Sequence, residues 1–106
     1  VYATTGDPPP SDVNAAVQAL LNEPFRSAHA TIRSLQVDKG LSLTDLVHEI
    51  AKIAARLAVS PPVRISLLTQ LADIEHRLNA GVGEELQVGA LVGAFAIARE
   101  MQAKEA

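Results

Sequence analysis

Residues 84–104, with the sequence EELQVGALVGAFAIAREMQAK, decide the fold of this protein. Two acids stand at the start and a lysine at the end, and no charge occurs from Leu86 to Ala98, where Gln87 is the only polar side chain. Acids in the first turn and a base in the last turn suit the helix dipole. The stretch therefore predicts one helix that is apolar nearly all round, which is typical of a helix buried on more than one side.

Two interpretations of this helix are open. It is either a central core helix wrapped by the rest of the chain, or a helix with one face in the core and another against a partner protein. Gly89 and Gly93 stand four residues apart, a spacing that lets a second helix approach closely. The uncharged run is shorter than the about 20 residues that a membrane-spanning helix needs, so no membrane partner is predicted.

Upstream of this helix, the sequence predicts four further amphipathic helices. They follow Ser11, Pro24, Ser42 and the Ser-Pro-Pro stretch at 60–62. Ser11 and Ser42 are predicted N-caps, and Gly40 is the predicted end of the second helix. The second helix has a predicted apolar stripe formed by Phe25, Ala28, Ile32 and Leu35. Because no strand pattern is present, we predict an all-α fold: a single compact five-helix domain, orthogonal or bundle-like.

Composition narrows the function classes. The chain has 106 residues, with 9 Lys and Arg against 12 Asp and Glu, for a net charge of -3. The cations are scattered, whereas neutralising several phosphates needs clustered cations, so direct nucleic-acid binding by this segment is not expected. The absence of cysteine from the sequence excludes disulfides, thiolate zinc sites and a cysteine nucleophile.

The three histidines, His29, His48 and His76, are the candidate metal ligands. His48 begins like a zinc-protease motif, but Lys52 stands where the second histidine is required. Asp73 and His76 have the spacing of a di-metal helix, which needs ligands from four helices, and no second motif matches. Neither a phosphate loop nor a nucleophile elbow occurs. No catalytic, cofactor-binding or metal residue is predicted, and a hydrolase or metal enzyme using these histidines is the third hypothesis.

Four stretches together resemble a known family. Residues 1–12 resemble the entry to the last domain of a replication factor C small subunit, and residues 39–46 resemble a joint between two of its collar helices. The most specific stretch is 63–78, VRISLLTQLADIEHRL, and 91–100 also fits. The chain thus resembles the C-terminal collar domain of the eukaryotic clamp-loader subunits numbered five in animals and three in fungi.

This resemblance implies an assembly role. In that family, five related subunits join through their collar domains into a ring, and the machine uses ATP to close a sliding clamp around primer–template DNA. Residues 1–10 are then a linker from upstream ATPase and lid domains, and 11–106 form the collar domain. The resemblance implies that ATP and Mg bind upstream, that the partners are the other subunits of a heteropentamer, and that clamp and DNA are contacted only through the whole complex. It also implies a nuclear location and no enzymatic activity in this fragment, because no ATPase motif lies in it.

The fourth and fifth helices are predicted to form at least one flank of the domain. The fourth helix carries charged residues around a leucine-rich stripe, and these charges either surround a partner contact or form a solvated face. The fifth helix has a second apolar side. The predicted interface residues are Arg64, Asp73, Glu75, Arg77, Leu91, Val92, Phe95 and Arg99. The runner-up is a free-standing helical adaptor that holds an amphipathic partner helix in a groove.

Overall fold

Helices make up every regular element of the computed structural model, which describes residues 8–105. Their bounds are α1 Pro10–Asn22, α2 Phe25–Lys39, α3 Leu43–Ala54, α4 Pro61–Asn79 and α5 Glu84–Glu105. The Cα radius of gyration is 13.1 Å, the value expected of a compact domain of about 100 residues. The all-α, five-helix prediction is confirmed. Residues 1–7 of the predicted linker lie outside the described residues.

The last helix, α5, lies at the centre of the domain. It packs against each of the other four helices, which follow one another around it in the order α2, α1, α3, α4. Its inner side carries Val88, Leu91, Val92 and Phe95, each at most 3% exposed. The inner side of the uncharged run therefore forms the middle of the core, as both interpretations of this helix predict.

Local signals end α2 and begin α3 as predicted. Gly40 has a φ of 67°, the left-handed conformation that glycine adopts without steric cost, and it terminates α2. Ser42 is the N-cap of α3, and its hydroxyl accepts a hydrogen bond from the backbone N–H of Asp45 at 3.4 Å. This cap satisfies one of the N–H groups that the first turn leaves without a partner.

The start of α1 differs from the prediction. The helix begins at Pro10, with Pro9 at the N-cap position, so Ser11 lies inside the first turn and does not cap it. The backbone N–H groups of Asp12 and Val13 donate to the carbonyl of Pro9 at 3.0 and 3.1 Å. A proline suits the first helical position because its missing N–H would have no partner there.

The stripe of α2 is shorter than predicted. Ala28, Ile32 and Leu35 are buried, whereas Phe25 is 50% exposed and its ring stacks on that of His29 with centroids 6.4 Å apart. Phe25 is the first residue of α2, so the buried stripe begins one turn later, at Ala28.

Candidate functional site

One side of α5 is not covered by the other four helices. Leu86 is 72% exposed and Ile97 is 46% exposed, although both belong to the uncharged run. We define the outer strip of α5 as Leu86, Gly89, Gly93, Ala96 and Ile97, which lie on the side of the helix opposite Phe95. The strip carries no charge. One side of this helix therefore forms the core, and the other is an apolar surface on which a partner contact stays a prediction.

A groove runs between α4 and the outer strip. Its volume is about 330 Å³, and it is lined by Gln70, Asp73, Ile74 and Arg77 from α4 and by Ala90, Gly93 and Ile97 from α5. A Cβ atom built on Gly93 would meet no atom within 4 Å, so the missing side chain leaves open space at the surface. The α5 residues and Ile74 give the groove an apolar floor, and Asp73 and Arg77 place one acid and one base on its wall.

The structure places three predicted interface residues in the core. Leu91 and Phe95 are 0% exposed and Val92 is 3% exposed. A partner cannot contact these side chains while the domain stays folded, so they are not carried into the proposed interface. On α5, the apolar surface that a partner can reach is the outer strip. The sequence pattern could have predicted this surface, since a helical wheel places Leu86 opposite Phe95.

Two predicted interface arginines are used inside the domain. Arg99 donates from Nη1 to the backbone carbonyl of Glu23 at 2.6 Å, where α1 ends and α2 begins. Arg64 donates from Nη2 to the carbonyls of Leu57 and Val59, in the connection between α3 and α4. Both guanidinium groups supply donors to carbonyls that lie outside regular hydrogen-bonded structure.

The other three predicted charges lie on α4 but face different ways. Arg77 donates from Nε to Oε1 of Gln87 at 2.9 Å, and Gln87 is only 2% exposed. Glu75 faces α3, where its Oε2 lies 3.5 Å from Nδ1 of His48. Asp73 is exposed, and among residues 8–105 no cationic group lies within 4 Å of its carboxylate. The structure thus brings Asp73 and Arg77 together on the groove wall and separates Glu75 from them.

The described part of the chain offers no cluster of ligands for a metal. No three His, Cys, Asp or Glu residues within 8–105 come together in a way that could hold an ion. Two of the histidines, His29 and His48, have the neighbours already described, Phe25 and Glu75. Within the same range, no helix combines the length and the apolar character needed to cross a membrane.

Comparison with known proteins identifies the family. The family described as "Replication factor C C-terminal domain" matches residues 8–94. Replication factor C subunit 5 of Homo sapiens is 40% identical over 106 residues, which is 100% of this chain and 31% of the relative. The Arabidopsis thaliana protein of the same name is 37% identical over 101 residues, covering 95% and 27%. Replication factor C subunit 3 of Saccharomyces cerevisiae is 35% identical over 96 residues, covering 90% and 28%.

The human and the Saccharomyces cerevisiae relatives have the subunit numbers that the resemblance predicts, five in animals and three in fungi. The chain spans less than a third of the length of the curated relatives that it matches. Since the family match extends over most of the chain and all five helices are reached by it, the chain belongs to the replication factor C C-terminal domain family.

Proposed function

We propose that this chain is the subunit-assembly domain, or collar, of a replication factor C clamp loader. The observation that carries the proposal is the outer strip of α5, an uncharged helix face that stays exposed in a domain from the replication factor C family. Apolar faces of this kind mark protein–protein contact sites. A free-standing adaptor is not favoured, because the similarity is to subunits of a replication factor.

Each subunit of a ring needs two different contact surfaces, because subunits that join head to tail bind one neighbour through each surface. The edges formed by α2 and α4 lie on either side of α5 and differ in character. The α2 edge exposes Phe25 and Val37, the latter 68% exposed. The α4 edge exposes Ile65, at 65%, and the groove beside the outer strip lies between α4 and α5. Two edges that expose different apolar residues support assembly with two non-equivalent neighbours.

We place the chemistry of the machine outside this domain. ATP and Mg are proposed to bind to upstream domains of the parent subunit, and residues 11–106 are proposed to have no catalytic or cofactor-binding role. The sliding clamp and primer–template DNA are contacted by the whole complex, since the net charge of -3 does not favour phosphate binding here. A replication role corresponds to a location in the nucleus.

The experiment that tests this function removes residues 11–106 from the complete subunit and co-expresses the remainder with the other clamp-loader subunits. We expect the truncated subunit to be absent from the complex recovered by affinity purification. ATP binding by the truncated subunit serves as the control that its upstream part is folded. Full incorporation of the truncated subunit would rule out the assembly role.

A further inference from the structure

We infer that the groove between α4 and α5 receives one α-helix of a neighbouring clamp-loader subunit, which crosses the outer strip at Gly93 and places a basic side chain opposite Asp73. The inference rests on the proposed function, because it names the partner of that same assembly surface. Four observations support it: the glycines, the apolar ends of the strip, the charges on its rim and the open groove.

Packing inside the domain does not require glycine at positions 89 and 93 of the outer strip. Glycine in a helix interior is less favourable than alanine, so its presence normally has a local reason. Gly89 and Gly93 do not have positive φ angles, and a Cβ atom on either would meet nothing within 4 Å. Neither backbone conformation nor internal packing therefore requires glycine at these positions. Small residues on an exposed helix face allow a second helix to approach closely, which a partner outside this domain would use.

The apolar part of the strip has the extent of one helix crossing. Leu86 and Ile97 mark its ends, and a rise of about 1.5 Å per residue puts them about 16 Å apart along α5. Both side chains are exposed, and the small residues lie between them. An incoming helix would approach α5 closely at the small residues and make one apolar contact at each end of the strip, with Leu86 and with Ile97. The groove beside Gly93 would accommodate its side chains.

The rim charges favour a basic partner over a second copy of this chain. Asp73 shares the groove wall with Arg77, whose Nε donates to the buried Gln87. Glu85 lies beside the first end of the strip, and Glu100 lies beyond the other end. Within residues 8–105, neither Asp73 nor Glu85 has a cationic group within 4 Å, and Glu100 pairs with Lys104 at 3.4 Å. A two-fold contact between identical strips would bring acidic rims together, and like charges at an interface are unfavourable. A helix with basic residues beside its apolar ridge complements this rim.

Cysteine labelling, with mass spectrometry of the peptide that carries the introduced thiol, locates the contact directly, because residues 1–106 contain no cysteine. Ala96→Cys places a thiol on the outer strip, and Ala58→Cys places a matched thiol in the exposed connection between α3 and α4. We expect maleimide to label position 96 at least about tenfold more slowly in the assembled complex than in the free subunit. Labelling at position 58 serves as the reference for general accessibility. Equal labelling of position 96 in both states, in a complex that has formed, overturns this inference and leaves the proposed function standing.

Filling the groove tests the same contact by assembly. Gly93→Leu puts a side chain into the space that the incoming helix would occupy, and the folded subunit is expected to retain its melting temperature while its affinity for the complex falls by about tenfold or more. Unchanged affinity would contradict the inference. A concentration-dependent dimer of the subunit alone, dissociated by Gly93→Leu in sedimentation experiments, would replace the neighbour's helix with a second copy and also overturn it.

The charge part of the inference has its own test. Asp73→Lys is expected to weaken assembly more than Asp73→Asn does, and both effects are expected to shrink as salt is raised, because screening reduces the interaction of exposed charges. Melting temperatures of the free variants distinguish lost contact from lost fold. If Asp73→Lys assembles as well as the unchanged protein, no basic group faces this carboxylate and the charge assignment fails.

Discussion

The guanidinium of Arg99 on α5 donates a 2.6 Å hydrogen bond to the backbone carbonyl of Glu23, at the junction of α1 and α2. The same nitrogen lies 3.4 Å from the carbonyl of Leu20. These carbonyls lie at the C-terminal end of α1, where a helix leaves its last acceptors without intrahelical partners and where a cation suits the dipole. These hydrogen bonds join the connection between α1 and α2 to α5.

Arg99→Met is expected to destabilise the domain by about 1–3 kcal/mol, because it leaves a partly buried carbonyl without its donor. Methionine keeps much of the aliphatic stem, so the loss reports the hydrogen bonds more than the packing. Urea unfolding followed by circular dichroism measures the effect. Arg26→Met, on an exposed position of α2, is the matched control and is expected to change stability by less than about 0.5 kcal/mol. An equally small change at Arg99 would show that the contact does not stabilise the fold.

Leu91 and Leu86 are the same residue type on opposite sides of α5, with 0% and 72% exposure. Leu91→Ala is expected to cost about 2–5 kcal/mol of folding free energy, because it opens a cavity in the core. Leu86→Ala is expected to change stability by less than about 0.5 kcal/mol, since its side chain remains in solvent. In the complete subunit, the second variant is expected to weaken assembly without lowering the melting temperature. A large stability loss at Leu86 would contradict this division of the helix into two sides.

Gly93→Ala and Gly40→Ala are expected to change stability in opposite directions. Alanine at position 93 is expected to stabilise the domain by about 1 kcal/mol, because Gly93 lies in a helix interior with open space at its Cβ position. Alanine at position 40 is expected to destabilise it by about 1 kcal/mol, because the φ of 67° is strained for a residue with a Cβ. Thermal unfolding of the two variants provides the comparison, and a loss of stability at position 93 would show that the glycine serves the fold itself.

The ion pair between Lys39 and Asp12 joins the end of α2 to the first turn of α1. Nζ and Oδ1 are 2.7 Å apart, and the Asp12 side chain is only 8% exposed, whereas that of Lys39 is 55% exposed. Lys39→Met is expected to cost about 1–3 kcal/mol, because a largely buried carboxylate loses its partner.

The matched variant for this pair is Lys52→Met, whose partner Glu49 is more exposed, with 29% of its side chain accessible. That exposed pair on α3 is expected to contribute less than about 1 kcal/mol. Chemical denaturation of both variants gives the comparison. Similar losses at the two lysines would mean that burial of Asp12 does not govern the energy of its pair.

The amino-acid sequence by itself determined the helices and most of their ends. Proline at 61, serine at 42 and glycine at 40 act through the backbone dihedral angles and hydrogen-bonding groups of their immediate neighbours, so their effects are readable without a fold. The apolar character of residues 86–98 likewise determined that α5 would be buried on one side at least. The N-cap of α1 was missed by two residues, Pro9 instead of Ser11, because Pro10 and Ser11 are both good helix-start residues.

Only the tertiary structure decided which residues remain on the surface. Leu86 and Leu91 are equivalent in an uncharged helix, and the arrangement of α1 to α4 around α5 makes one a surface residue and the other a core residue. The sequence likewise did not show which charged residues of α4 and α5 bind inside the domain and which remain on its surface. Arg99 has its partner 76 residues away at Glu23, and long-range pairings of this kind depend on how helices pack rather than on local pattern. The physical reason is that periodicity specifies the faces of one helix, whereas burial depends on the neighbours that cover each face.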